Sequence, residues 1–347
     1  MVKTTVDAST EREPTDLQDR LEVLRGAGPA LVLTHDYPDP DALASGVGIA
    51  RMLEQVCDLN VTVGYGGFIG RAENRAMVFE LGLRVAPIEH LSFDDFEVVA
   101  LVDTQPQAGN NALPPGKDAH IVVDHHPPPC DTSSTMWCDI RPEYGAAATI
   151  VHQYLRKLKV PIDSGLATAL YYAIKTETND LIRETHAADV AAYRHLFGLL
   201  DRKRLAAIVS PPVSPDYFLS LSDVIRESRI YGPLLVAPLA RVPFPELVAE
   251  MADILIRHRG ISWCLAIGRF NETMHLSLRS RHQARNAGEL LRRVVTGLGS
   301  AGGHGSMAGG QVPLDDSTGP SGIVRQLTHR ICAELAIELS EGQPIGK

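Results

Sequence analysis

Residues 30–42 read Ala30-Leu31-Val32-Leu33-Thr34-His35-Asp36-Tyr37-Pro38-Asp39-Pro40-Asp41-Ala42. An apolar run short enough for a buried strand gives way to an imidazole and several carboxylates stiffened by two prolines, and a helical pattern follows over 41–54. The same grammar continues on both sides of it. A helix is expected over 17–26, a strand over 61–65, a helix over 73–81, and strands over 98–102 and 121–123. Short, continuous β-branched runs separated by helical patterns are the mark of a parallel sheet covered on both faces, so the fold class is α/β. Three of these strands end in polar clusters: Thr34-His35-Asp36, Asp103-Thr104 and Asp124-His125-His126. Ligands of open α/β sheets bind beyond the carboxyl ends of the strands, which would bring the three clusters to one crevice.

Farther along, helices are expected over 144–158 and 164–174, the second running into Lys175-Thr176-Glu177-Thr178-Asn179-Asp180. The pattern over 187–229 is helical and charged, broken by the proline-rich connector at 210–215. Strands over 234–238, 261–267 and 274–278 around a helix over 244–258 then read as a second α/β unit, closing with a glycine-rich stretch over 299–310. The corresponding domain limits are 1–187, a helical connector 188–228, and 229–347. At 347 residues the chain suits about two domains of roughly 150 residues each.

Composition narrows the partners. Thirty-three Lys and Arg against 42 Asp and Glu leave a net charge of −9, whereas a protein that holds long nucleic acid by counterion release is normally basic. No long duplex is therefore expected as a partner, but a small phosphate-bearing ligand bound through metal ions is compatible with the charge. Aromatic residues are 5% of the chain, few for base-stacking platforms, so a nucleic-acid ligand should be short. The five cysteines are scattered without a CxxC pair and read as free thiols of a reducing compartment. The polar N-terminus has no signal-peptide core, and no run reaches the roughly 18 apolar residues of a membrane span. A cytoplasmic location and no membrane partner are the expectation.

The chemistry rests on the polar clusters. His35-x3-Asp39-x-Asp41 is a compact ligand set for divalent cations, and oxygen-rich sites with one or two imidazoles suit manganese or magnesium better than zinc. The same loop also reads as a turn in which Asp39 or Asp41 caps the following helix. Asp103 alone equally suits a helix cap or a pocket wall. Three adjacent titratable groups at 124–126 bring crowded charge and desolvation with no packing benefit; metal ligation gives each a use, since a ligating His needs a carboxylate or carbonyl to fix its tautomer. In the glycine-rich stretch, backbone N–H groups can approach a phosphate closely; a flexible connection near a helix start is the other reading. Arg279, at a strand end, has the fork that clamps phosphate, or is simply solvated.

His35-x3-Asp39-x-Asp41, Asp103 at a strand end, Asp124-His125-His126 and Gly302-Gly303-His304-x3-Ala308-Gly309, in that order over about residues 27–315, resemble the DHH phosphoesterase superfamily with its C-terminal DHH-associated domain. The likeness is to the branch of nanoRNases, also described as pAp phosphatases, and cyclic-dinucleotide phosphodiesterases. It implies a parallel-sheet catalytic domain, a smaller α/β substrate-binding domain, and a cleft between them. It implies two divalent cations, manganese first, with magnesium or cobalt as alternatives. His35, Asp39 and Asp103 would hold one, and Asp41, Asp103 and His125 the other, Asp103 bridging. His126 would contact the scissile phosphate, Asp124 would support the site, and Arg279 with Gly302, Gly303 and His304 would grip the substrate. The family's fourth motif usually supplies an aspartate where this chain has Glu177, so Glu177, or Asp180 instead, would complete the second site. The implied activity is hydrolysis of short nucleotides: nanoRNA, linear or cyclic dinucleotides, or pAp. Homodimers are common among such proteins. The rivals are a nucleotide sensor with decayed catalysis, an inorganic pyrophosphatase, and a RecJ-like single-strand exonuclease.

Overall fold

The computed structural model describes residues 14–127, 135–183, 185–282, 286–314 and 319–346, with the backbone alone at 14–16 and His304. The chain divides into two units, Met1–Pro211 and Pro212–Lys347. The first is built on a six-stranded sheet in the order β3-β2-β1-β4-β5-β6: β1 Ala30–Leu33, β2 Val61–Tyr65, β3 Ala86–Pro87, β4 Val98–Val102, β5 Ile121–Asp124 and β6 Trp137–Ile140. Every neighbouring pair runs parallel. Its helices are α1 Pro14–Glu22, α2 Pro40–Cys57, α3 Ala72–Leu81, α4 Ala147–Lys157, α5 Ser164–Glu177, α6 Ala187–Phe197 and α7 Arg202–Val209.

Alternation along the central strands explains why they are apolar throughout. Val32, Ala100, Val102, Ile121 and Val123 face one core together with α2, α4 and α5, while Leu31, Leu33, Leu101 and Val122 face a second, closed by Ile88, Leu91, Phe93 and Phe96. A strand buried on both sides has no solvent face to carry polar residues. Because β1 lies between β2 and β4, the winding direction reverses there, and the crevice of such a sheet opens beyond the carboxyl ends of β1 and β4. His35 and Asp103 emerge at that point.

The five expected helices and four expected strands of this unit are all present within a few residues, and α5 runs three residues farther than expected, to Glu177. The short edge strands β3 and β6 carried no sequence pattern. The units part at Pro211/Pro212, inside the proline run read as a connector. The helices on either side go with different units because of what they bury: Ala192, Leu196 and Ile208 of α6 and α7 join the first core, and Val224 of α8, Pro215–Glu227, joins the second unit.

That second unit holds a mixed sheet ordered β11-β12-β10-β9-β8-β7-β13, made of β7 Arg229–Tyr231, β8 Leu234–Arg241, β9 Trp263–Phe270, β10 Thr273–Ser280, β11 Ser300–His304, β12 Met307–Pro313 and β13 Gln343–Pro344. Only the β8–β9 pair is parallel, bridged by α9, Glu246–Leu255. Helices α10, Ala287–Val295, and α11, Gly319–Glu334, cover the face opposite α8 and α9. The glycine-rich stretch is a β-hairpin, with Gly302 opposite Gly309 and Gly303 opposite Ala308, not a loose connection. Its glycine at 303 is at φ +134, and a Cβ at Gly288 would overlap the Gly303 carbonyl, so the start of α10 packs directly on the hairpin backbone. Among the described residues no helix is long and apolar enough to cross a membrane. Cys57, Cys138, Cys264 and Cys332 are free thiols; Cys130 lies outside the described residues.

The α2–α4 contact that frames the crevice depends on Gly48, where an added Cβ would overlap Val151 Cγ1. Gly48→Ala should lower stability by about 1–3 kcal/mol through overpacking. In urea unfolding, most of that loss should be recovered in Gly48→Ala/Val151→Ala; equal midpoints for wild type and Gly48→Ala would refute the close approach.

Candidate metal centre

Three strand ends meet here. β1 delivers His35, β4 delivers Asp103 and β5 delivers Asp124, His125 and His126, while α5 brings Glu177 from the end of its last turn. A pocket of about 130 Å³ is lined by His35, Asp39, Asp103, Asn110, His125, His126 and Glu177. Two sets of ligand atoms converge within 4.8 Å, His35 with Asp39 and Asp103, and Asp103 with His125 and His126. Asp103 belongs to both. Its backbone is left-handed, at φ +59, a conformation a non-glycine residue adopts at a cost of about 1 kcal/mol, and its N–H donates to the Val123 carbonyl. That turn stops β4 and throws the carboxylate into the pocket.

Backbone carbonyls fix the tautomers of two of the histidines. His35 Nδ1 lies 2.9 Å from the Asp36 carbonyl and His125 Nδ1 lies 3.1 Å from the Tyr144 carbonyl. A carbonyl only accepts, so each Nδ1 carries the proton and each Nε2 faces carboxylates: His35 Nε2 is 3.6 Å from Asp103 and 3.8 Å from Asp39, and His125 Nε2 is 3.5 Å from Asp103 and 3.8 Å from Asp41. Such carbonyl partners fix tautomer and ring orientation in metal sites. Among the described residues, Asp103 Oδ1 and His125 Nε2 are buried with no hydrogen-bond partner. Buried polar atoms left unpaired are rare in folded proteins, and these two, aimed at one another at 3.5 Å, fit a divalent cation.

Of the two readings of the loop, the structure shows the helix cap. Asp39 is the N-cap of α2, its Oδ1 accepting from the backbone N–H groups of Asp41 and Ala42 at 2.9 and 3.0 Å, while it also lines the pocket. Burial would raise its pKa, but the His35 hydrogen bond and charge and the two amides hold it well below the usual carboxylate range. Asp41 is buried and receives the first amides of α4: Ala147 N–H at 2.7 Å on Oδ2 and Ala148 N–H at 2.8 Å on Oδ1, with Ser45 Oγ–H also on Oδ1. It therefore caps a distant helix and still keeps a lone pair on Oδ2 toward His125. Burial, then repulsion from Asp103, Asp39 and Glu177, pushes its pKa well up, opposed by the Ala148 amide.

The remaining sequence-predicted residues fall in different places. Asp124 sits behind the pocket: its Oδ1 takes the His125 backbone N–H at 2.7 Å and His126 Nδ1–H at 2.9 Å, and its Oδ2 takes Gln105 Nε2–H at 2.8 Å. His126 is thereby oriented with its half-exposed ring on the pocket wall. Burial lowers its pKa, but the Asp124 hydrogen bond and the Asp103, Asp124 and Glu177 charges outweigh that and raise it to about 9. Glu177 lines the pocket, and burial, joined by the Asp39 and Asp103 charges, pushes it up to about 8 against His126 and Arg183. Asp180 does not: residues 179–181 are three successive left-handed residues at φ 49, 58 and 64 that turn the chain back, and its carboxylate binds Lys175 Nζ and Tyr193 Oη. In the second unit, Arg279 is mostly buried and ion-paired with Asp253, with Nη1–H on Ser277 Oγ at 2.8 Å, while Gly302, Gly303 and the backbone of His304 form β11.

Sequence reasoning passed over Gln105, Asn110 and the Tyr144 carbonyl. Gln105 is 1% exposed and holds both Asp124 and the His126 carbonyl. Asn110 is fixed by Thr104 Oγ1–H at 2.7 Å. An amide two residues past a strand-end aspartate was a usable signal for Gln105; a backbone carbonyl leaves none. Asp189, wholly buried, steadies the Tyr144 turn by accepting from Gly145 N–H at 2.8 Å and from His186 N–H and Thr149 Oγ–H.

Residues 29–174 match the profile of the DHH family, N-terminal domain. An uncharacterized protein of Methanocaldococcus jannaschii is 33% identical over 287 residues, which are 82% of this chain and 58% of that protein, so the chain spans less than two thirds of this relative's length. Among solved structures, an exopolyphosphatase-related protein from Bacteroides fragilis has a TM-score of 0.71 at 14% identity, over 92% of this chain and 95% of its own; the likeness is one of fold. RecJ from Thermus thermophilus in complex with Mn2+ matches at a TM-score of 0.49 and 13% identity, over 91% of this chain and 54% of its own.

In the ion-free protein, burial lowers the His35 pKa, but its hydrogen bonds to Asp103 and Asp39 outweigh that and hold it well above the usual histidine value. Glu177, pushed up to about 8, therefore carries a proton at pH 7 that a bound cation must displace, and the raised pKa of His35 acts in the same direction. Calorimetric titration with Mn2+ should show protons released at pH 7, detected as a buffer-dependent enthalpy, and affinity rising from pH 6 to pH 8.5. Asp103→Ala should abolish binding; pH-independent affinity would contradict this site.

Proposed function

We propose, from the match of residues 29–174 to the DHH family, N-terminal domain, that this protein is a divalent-metal-dependent phosphoesterase that hydrolyses short nucleotides: nanoRNA, linear or cyclic dinucleotides, or pAp. The observation that carries the reading is the unpartnered buried pair Asp103 Oδ1 and His125 Nε2, set among further carboxylate and imidazole donors. Carboxylate oxygens and imidazoles with no thiolate favour manganese or magnesium over softer preferences, and manganese is the proposed ion. His35, Asp39 and Asp103 would hold one ion, and Asp103 and His125, with Asp41 Oδ2 or Glu177, the second. Two such ions supply an activated water near neutral pH and neutralise the phosphoryl oxygens of an in-line displacement.

The chain's own groups do the rest. His35 and His125 present Nε2 lone pairs because carbonyls occupy their Nδ1 protons. His126, fixed through Nδ1 by Asp124, would donate from Nε2 to the scissile phosphate, a charge-assisted hydrogen bond when the ring is protonated. A pocket of about 130 Å³ suits one phosphoryl group and its water, and the net charge of −9 disfavours long polymers. Within the second unit, Arg279 and the Gly302-Gly303-His304 hairpin are the proposed substrate-binding elements.

The deciding experiment gives the purified protein Mn2+ and a panel of pApA, pAp, cyclic dinucleotides, RNAs of two to five residues and, given the name of the Bacteroides fragilis neighbour, short polyphosphate. At least one nucleotide should be hydrolysed, with the rate lowered on the order of 10³-fold in Asp103→Ala and His125→Ala. Dinucleotide binding without turnover under Mn2+, Mg2+ or Co2+ would replace the enzyme with a sensor. Two further variants probe roles. His126→Gln should lower kcat while leaving Mn2+ affinity within a few-fold, and Glu177→Asp should change the rate by less than about tenfold, since the longer side chain already reaches the pocket.

A further inference from the structure

The second unit contains a larger cavity, of about 250 Å³, that none of the chemistry above uses. Its walls are β7 and β8 on one side, α11 on the other, and residues 339–340 at the edge. The base is apolar: Val236 is buried, and Pro238 and Val324 flank it, with the exposed Leu339 at the rim. Three cationic or potentially cationic side chains ring it, Arg229 from β7 and Arg325 and His329 from successive turns of α11, against one carboxylate, Glu227. Arg229 uses Nη1 to hold the Arg226 and Ser228 carbonyls at 3.0 and 2.9 Å. Arg325, His329 and Glu227 make no hydrogen bond or ion pair with any described residue. Arg325 and His329 are four residues apart, so they project from one face of the helix.

The cavity has a constructed side as well. Tyr231 lines it, and Gly342, at φ +72, lies so close to that ring that a Cβ there would come within 2.7 Å of Cζ. A side chain is excluded at 342 both by the backbone conformation and by the ring. The closing strand β13 then pairs with β7, Gln343 opposite Ile230, and so holds the chain over this end of the cavity.

We propose that this cavity is a binding site for a small organic phosphate with a flat or apolar body, a mononucleotide or an aromatic phosphate. Guanidinium forks match phosphate oxygens bidentately, and unpaired ones lining a concavity are free to do so. The apolar base and the Tyr231 ring would take the body of the ligand, and Glu227 would accept from a hydroxyl or amino group on it. The volume lies below the range of roughly 300–1,000 Å³ typical of drug-sized ligands, which limits the occupant to one nucleotide rather than an oligomer. The site is independent of the metal centre and does not rest on the proposed activity.

The test uses the full chain carrying Asp103→Ala, in EDTA, so that the metal centre contributes nothing. AMP and phenyl phosphate are titrated calorimetrically, with adenosine and inorganic phosphate as controls, and the same titrations are repeated in Asp103→Ala/Arg325→Gln/His329→Gln. Arg325 and His329 are exposed on α11, and circular dichroism and the urea midpoint establish that the second protein is folded. The proposal requires that AMP or phenyl phosphate bind near one equivalent, at least tenfold more tightly than adenosine and inorganic phosphate, and that this binding weaken at least tenfold in the triple variant. Absence of binding up to 5 mM, equal binding of adenosine or of inorganic phosphate, or unchanged affinity in the triple variant would each overturn it. Binding of AMP but not phenyl phosphate identifies a nucleotide as the occupant; the reverse identifies an aromatic phosphate.

Discussion

Repulsion among four carboxylates governs the first unit. Asp39, Asp41, Asp103 and Glu177 converge where β1, β4 and the end of α5 meet, and burial adds to the cost of charging them. Coulombic pressure from this cluster contributes to the raised pKa values of Asp41 and Glu177. The surrounding structure answers with fixed positive ends: the first amides of α2 on Asp39, those of α4 on Asp41, and imidazoles from two strand ends. Helix N-termini carry partial positive charge, so aiming two of them at the cluster offsets part of the repulsion without a lysine or arginine to occupy the pocket. What they leave uncompensated, Asp103 Oδ1 and His125 Nε2, is where a divalent cation fits.

The same arrangement ties the side chains of the site to one another and to the backbone. Asp103 is set by a left-handed residue at the end of a fully buried strand, His125 by the Tyr144 carbonyl, and His126 by Asp124, which Gln105 holds in turn. Behind Tyr144, the buried Asp189 fixes the turn through Gly145. Each link is carried by a backbone group or a buried side chain, except at His126, whose ring is half-exposed. The net charge of −9 takes on a different meaning in this light, because four of the negatives counted in it are gathered at one site rather than spread over the surface.

Much of the site was legible because its donors sit directly after strands that are apolar on both faces. Five consecutive apolar residues at 98–102 admit little besides a central parallel strand, and Asp103 follows immediately. His35, Asp124, His125 and His126 follow the same logic. Asn110 and the role of the Tyr144 carbonyl were not legible, since an amide in an irregular loop and a backbone carbonyl have no periodicity. The choice between Glu177 and Asp180 was open for a related reason: both lie at the end of α5, and only three successive left-handed residues turn Asp180 away to Lys175. Likewise, glycines at 302–310 permit either a loop or a hairpin, and cross-strand pairing with β12 made them a hairpin.

By itself the sequence determined the α/β class, the strand-end positions of the candidate ligands and the residue types able to hold a hard cation, because these follow from local hydrophobic runs and from which side chains can ligate at all. Only the tertiary structure decided which of those groups meet. Asp41 serves the N-terminus of α4 more than a hundred residues away, Arg279 answers to Asp253, and the connector divides between two cores according to what α6, α7 and α8 bury. Those outcomes are set by long-range packing and by the need to satisfy buried charge, which no local pattern records.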